Sequence, residues 1–138
     1  MSGEQRISRR AELICVLLLL ALGFAVRLAA LGSLPAGLNQ DEASAGYDAW
    51  AILNYGIDRC GNSLPVLLES WGSGQNALLS YLAMPFIALF GLSAVTLRLP
   101  MALSGCASLV FMWLLARRAR GVRFGLAALL FLAVCPWH

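Results

Sequence analysis

The chain has no lysine and a single histidine, His138 at the last position, and only 12% of its 138 residues are charged. A soluble domain carries about 25% charged and 45–50% apolar residues, so a hydrophobic content of 60% places this chain in a bilayer. With lysine absent, the net charge of +3 rests on arginines, clustered at the N-terminus and at Arg117, Arg118, Arg120 and Arg123. Such clusters carry topological information. They lack the basic face with interleaved polar and aromatic readers that nucleic acid requires, so no nucleic-acid partner is expected. Cysteine is sparse as well: Cys15, Cys106 and Cys135 lie in apolar runs and Cys60 alone lies in a polar loop. No pair has metal-ligand spacing, and one loop thiol cannot bridge to thiols at other membrane depths. A nucleotide-binding Gly-Lys loop, a Gly-x-Ser-x-Gly elbow, a zinc signature, internal repeats and low-complexity tracts are all missing.

What is present is a series of apolar segments broken by one acidic loop. Arg6, Arg9 and Arg10 precede an apolar stretch from Leu13 to Val26 that continues past Arg27 to Leu31. This predicts a cytoplasmic tail over 1–12 and a first span over 13–31, by the positive-inside rule. The basic start and the small residues Ala29 and Ala30 also fit a cleavable signal peptide, but the stretch is long for one and further apolar segments follow. Arg27, near the outer end, is expected to snorkel to the headgroups rather than face a polar cavity.

From Gly32 to Gly74 the chain is polar, and five of its seven acids fall between Asp41 and Glu69. Within it, Asp41 to Tyr55 reads as a helix ended by Gly56. Ala43, Gly46, Tyr47, Trp50 and Leu53 share one face of the wheel, with Asp41, Ser44 and Asp48 opposite. Such a helix lies along the interface, with Tyr47 and Trp50 at headgroup depth.

Residues 75–90 are apolar and contain Pro85; sixteen residues cover about 24 Å at helical rise, marginal against roughly 30 Å of hydrocarbon. If they cross, Arg117 to Arg123 end up outside, against the positive-inside rule. If they form a re-entrant or interfacial helix, 97–116 runs from outside to inside and those arginines are cytoplasmic. Arginine bias over short loops favours the second arrangement. The expected layout is then an outer loop over 32–96, a span over 97–116, a cytoplasmic loop over 117–123 and a final apolar segment over 124–138. That last run is barely long enough to cross, so the chain reads as the N-terminal piece of a longer protein, inactive by itself.

Asn39, followed three residues later by Glu42, fits a capping box, and acids in a first helical turn suit the helix dipole, so Asp41 and Glu42 have a purely structural reading. The chemical reading is that an ionised Asp41 accepts a proton from an attacking hydroxyl while Glu42 orients it or helps bind a divalent cation. Asp48, two turns on, either assists or is an exposed acid on a polar face. Glu69 and the run Trp71-Gly72-Ser73-Gly74-Gln75 form either a substrate-contacting loop or a flexible turn, and Trp71 favours an interface anchor over a sugar platform. Arg98, at the outer start of its span, has three readings: a ligand for a lipid phosphate, a snorkelling helix end, or the partner of a loop acid.

The order Leu34-Pro35, Leu38-Asn39-Gln40-Asp41-Glu42, Gly46-Tyr47-Asp48-Ala49, Tyr55-Gly56-Ile57-Asp58 and Leu64-Pro65 resembles bacterial integral-membrane glycosyltransferases of the GT-C superfamily. The branch it looks like is that related to the protein O-mannosyltransferases and the lipid A aminoarabinose transferase, glycosyltransferase family 39. Gly74-Gln75-Asn76, Tyr81-Leu82, Pro85, Phe90-Gly91, Arg98-Leu99-Pro100 and Pro136-Trp137-His138 extend the resemblance over nearly the whole chain. It implies an all-α, multispanning N-terminal module with interfacial helices in the first outer loop, in a bacterial plasma membrane with a cytoplasmic N-terminus. It further implies Asp41 as general base and Glu42 as its neighbour in acceptor or metal binding. A polyprenyl-phosphate-linked sugar would be the donor, and a protein, lipid or glycan hydroxyl or amine the acceptor, with inversion at the anomeric carbon. The phosphate leaving group needs positive charge nearby, from a metal or an arginine. The rival class is a non-enzymatic carrier or flippase whose loop acids line a substrate path, and a plain scaffold with a capped loop helix is the third.

Overall fold

A computed structural model describes residues 8–70 and 72–135. Arg6, Trp71 and the closing Pro136, Trp137 and His138 lie outside the described residues. The chain is mostly helical: α1 (Arg9–Leu28), α2 (Gln40–Tyr55), α3 (Leu78–Phe90), α4 (Ala94–Arg120) and α5 (Val122–Val134), with strands β1 (Leu67–Ser70) and β2 (Ser73–Asn76) between α2 and α3. The strands form an antiparallel pair in which Leu67 faces Asn76 and Ser70 faces Ser73. To the expected helical fold the structure adds this hairpin, which four-residue strands around Gly72 (φ +77°) build inside what the sequence presents as loop. Two compact units divide the chain, Met1–Ala29 with Leu103–His138, and Ala30–Ala102.

In the first unit, α1 and α4 are each long and apolar enough to cross a membrane. Ser8 opens α1 by accepting a hydrogen bond from the Ala11 amide. Buried Glu12, one turn in, pairs with Arg117 near the end of α4, so Arg9, Arg10 and the arginines from Arg117 onward gather at one end of this unit. Arg117 also lies over the Trp113 ring, 5.7 Å from its centroid. Val16, Leu109, Leu129 and Ala133 make the core, with α5 running parallel to α1. α5 has 13 residues. Arg27 does not simply snorkel: its guanidinium donates to the carbonyls of Gly23, Leu132 and Ala133, and so closes the C-terminal end of α5.

In the second unit, α2 is fixed at both ends. Asn39 and Glu42 form the expected reciprocal capping box, and Gly56, at φ +73°, donates its N–H to Ile52 O. The buried residues of α2 include Ala45, Ala49 and Ile52, with Trp50 packed partly against them and Tyr47 and Leu53 exposed; the small residues let α3 approach closely. Ala83 and Ile87 of α3 meet Ala49 and Leu97, while Ser80 Oγ donates to Ala45 O at 2.9 Å. Leu68 from β1 packs under Ile52 and Ala77, a burial that contributes roughly 1.5–3 kcal/mol. At 13 residues and about 20 Å, α3 is too short to cross the hydrocarbon, and it serves here as a packing partner of α2.

Gly46 is where α2 meets Leu97: a Cβ there would stand 2.5 Å from Leu97 Cδ1, and Leu97 is itself buried in the cluster. Gly46→Val is therefore expected to cost about 1–3 kcal/mol through overpacking. Thermal unfolding of the detergent-solubilised protein measures this, and an unchanged midpoint would show that Leu97 has room to move.

Candidate functional site

The acidic loop is organised by Arg98, in the second turn of α4. Ser93 and Thr96 set the start of that helix, with the Thr96 amide donating to Ser93 Oγ and Thr96 Oγ1 donating back to Gly91 O. Arg98 is buried and turns toward the chain that follows α1. Nε and Nη2 donate to the two oxygens of Glu42 at 2.9 and 3.0 Å, a bidentate pair. Nη1 donates to the carbonyls of Leu31 and Pro35, both at 3.1 Å, and Nη2 to that of Gly37. A guanidinium has five N–H groups and all five are used. Just before the segment they gather, Ala30 stands at φ +56°, a left-handed conformation costly for a residue with a Cβ, held where the following Leu31 carbonyl is tied down. Of the three sequence readings of Arg98, the structure realises the partner of a loop acid, and the guanidinium keeps no donor for a lipid phosphate.

Glu42 is correspondingly committed. Its Oε2 accepts from the Asn39 amide at 3.1 Å in addition to Arg98. The hydrogen bond from Arg98, helped by that amide, outweighs partial burial and holds its carboxyl below the ordinary value of 4.5. Asp41, the next residue back, differs sharply: its side chain is exposed and makes no hydrogen bond or ion pair among the described residues. Only its main-chain oxygen is engaged, by Gln75 Nε2 at 3.4 Å, which ties the head of α2 to β2.

Further along the same face of α2 the sequence reading is corrected. Asp48 is not an exposed acid; it is fully buried. Arg59, eleven residues on, donates its backbone N–H to Asp48 Oδ1 at 3.1 Å and its Nη1 to Ser44 Oγ at 2.8 Å. Its Nη2 lies 2.9 Å from Asp48 Oδ2, an ion-pair contact rather than an aligned hydrogen bond. Burial of a carboxylate demands such a partner, which is why the loop returns to α2 here. The loop is shaped by Asp58, whose Oδ1 accepts the amides of Cys60 and Asn62 at 2.9 and 2.8 Å and whose Oδ2 accepts from Asn62 Nδ2. Burial alone would raise the Asp58 carboxyl, but these donors together bring it below its ordinary range. Sequence reasoning missed Arg59 entirely; the signal was an Asp-Arg dipeptide in a Gly-punctuated return loop.

A metal pair is not what these residues form. Both oxygens of Glu42 face Arg98, and no group of three or more His, Cys, Asp or Glu suited to an ion gathers among the described residues. Chemically, the arrangement presents one unpartnered carboxylate, Asp41, on a rigid helix head whose adjacent acid is already neutralised. No protein-family model matches the chain, and neither a curated protein nor a solved structure matches it.

The lowered Glu42 carboxyl makes a pH prediction. A carboxyl whose folded value is depressed contributes stability that is present above its unfolded value of 4.5 and lost as pH falls through the lower folded value. The melting temperature of the wild type should therefore drop below pH 4.5 by more than that of Glu42→Gln, which has already forfeited the pair. Parallel curves for the two proteins across that window would mean that the pair adds no stability.

Proposed function

We propose that this chain is the N-terminal part of the catalytic module of a membrane glycosyltransferase that uses a polyprenyl-phosphate-linked sugar, with Asp41 as the general base toward an acceptor hydroxyl or amine. One observation carries the reading: Asp41 is exposed and unpartnered, at the head of a capped helix, while its neighbour Glu42 is bound by Arg98. A base must reach the proton it removes and must not be spent on an internal salt bridge. The order of motifs resembling glycosyltransferase family 39 supports the choice of reaction, and inversion at the anomeric carbon follows from direct attack by the deprotonated acceptor.

The membrane arrangement in this proposal has the N-terminus in the cytoplasm of a bacterium and residues 32–96 at the outer face. Two helices of spanning length, with their arginines gathered by the Glu12–Arg117 pair at one end, support it. The outer leaflet is where a donor with its tail in lipid meets an acceptor in water. A non-enzymatic carrier remains the second reading, since an open carboxylate on a loop also suits a binding path.

In the full-length protein, Asp41→Asn is expected to lower transfer by about 10²–10⁴-fold with membrane insertion and melting temperature retained. Turnover equal to the wild type in that variant removes the general-base role. For the topology, Cys60 in intact cells should react with an impermeant maleimide added outside, and reaction only after the inner face is opened would invert the arrangement.

A further inference from the structure

The return loop and the hairpin enclose a second feature that the general-base reading does not use. Arg59, Cys60, Glu69, Ser70, Gly72 and Ser73 line an open cleft of about 540 Å³, within the size range of small-molecule sites. Three observations describe its chemistry. Arg59, which lines the cleft, donates one guanidinium N–H to Ser44 and sets Nη2 against Asp48 as an ion pair, so part of its donor capacity is uncommitted among the described residues. Ser70 Oγ is buried there and has no hydrogen-bond partner among the described residues, a state that native proteins seldom leave unanswered. Glu69, at the exposed edge of β1, offers a carboxylate across from them.

Charge decides the class of ligand. Around the cleft stand the carboxylates of Glu69, Asp48 and Asp58 against the single guanidinium of Arg59, so a phosphate would meet more repulsion than attraction. Burial and the neighbouring Glu69 and Asp58 charges push the Cys60 thiol up, so it too is a neutral, protonated group. Carboxylate, guanidinium and hydroxyl together match vicinal hydroxyl groups, each of which both donates and accepts. The cleft also adjoins the head of α2: Gln75 of β2 reaches Asp41 O, and Ser44, which holds Arg59, lies one turn after Asp41.

We propose that this cleft is a binding subsite for a neutral, hydroxyl-rich ring, a pyranose, with Glu69, Ser70 and Arg59 as its polar contacts. The choice of a pyranose among polyols rests on the transferase reading; the preference for hydroxyls over anions rests on the cleft alone. Cys60 supplies the reporter. In the full-length protein in nanodiscs, maleimide alkylation of Cys60, followed by mass spectrometry of its peptide, is measured with methyl pyranosides of mannose, glucose and galactose, with a polyprenyl-phosphate-linked mannose, and with inorganic phosphate. At ten times Kd a bound pyranoside should slow alkylation about tenfold. Ser70→Ala should remove that protection while leaving the unprotected rate unchanged, since Ser70 does not touch the thiol's ionisation.

Stronger protection by the lipid-linked sugar than by the methyl glycosides assigns the ring to the donor, and equal protection assigns it to a free or acceptor glycan. Protection by phosphate alone, protection that survives Ser70→Ala, or no protection by any sugar overturns the proposal. The outcome is separable from the transferase test, because Asp41→Asn can abolish turnover whether or not a sugar shields Cys60.

Discussion

Arg98 is the constraint on which the acidic loop depends. One side chain collects three main-chain carbonyls of residues 31–37 and both oxygens of Glu42, and it can do so because a guanidinium projects five donors in a fixed plane. The carbonyls belong to a largely exposed stretch with no regular structure, which these donors hold in one conformation. The same contacts set Glu42, and through the capping box they set the first turn of α2. The direction in which Asp41 leaves the helix is therefore fixed from a residue far away in sequence.

The completed pair on Glu42 leaves Asp41 as the acid at the helix head without a side-chain partner among the described residues. Along the polar face of α2 the structure thus separates three carboxylates by role. Glu42 is spent on architecture, Asp48 is buried and spent on the return loop through Arg59, and Asp41 is left open. A helix with three acids on or near one face would ordinarily look like a solvated edge. Here two of the three are anchored by arginines supplied from elsewhere in the chain, at separations of 56 and 11 residues.

Local signals in the sequence located what local physics controls. The capping box of Asn39 and Glu42, the Gly56 terminus and the two long apolar helices all depend on neighbours within a few residues, and their positions follow from spacing. What depends on distant partners was not legible. Asp48 looked exposed because the wheel places it opposite the aromatic residues, but the return of Arg59 covers that face instead. The sequence places Tyr47 and Trp50 at headgroup depth; within the unit Tyr47 is exposed and Trp50 packs partly against the Ala49 cluster, while the small Ala45 and Ala49 allow the close helix approach. The hairpin escaped notice since its strands are four residues each and show no alternation long enough to register. Arg27 presented the same apolar context whether it snorkels or caps another helix, and only the placement of α5 resolves it.

The distribution of ionisable groups bears on the choice between transferase and carrier. A carrier that moves a polar substrate through the bilayer needs polar or charged groups at mid-membrane depth. Among the described residues of α1, α4 and α5, the only acid is Glu12, and it sits in the first turn of α1, bound to Arg117 near the end of α4. The other acids among the described residues, Asp41, Glu42, Asp48, Asp58 and Glu69, lie in the unit Ala30–Ala102, around α2, the return loop and the hairpin. Charge of that kind is costly to hold against lipid unless it is paired, and most of it is paired. Asp41 at the helix head is exposed and has no side-chain partner among the described residues, and Glu69 at the cleft is exposed with the Cys60 thiol beside it. On the proposed transferase reading, that pattern leaves the helices apolar and puts the open carboxylate of Asp41 on the loop unit, where a reaction at the membrane surface would need it.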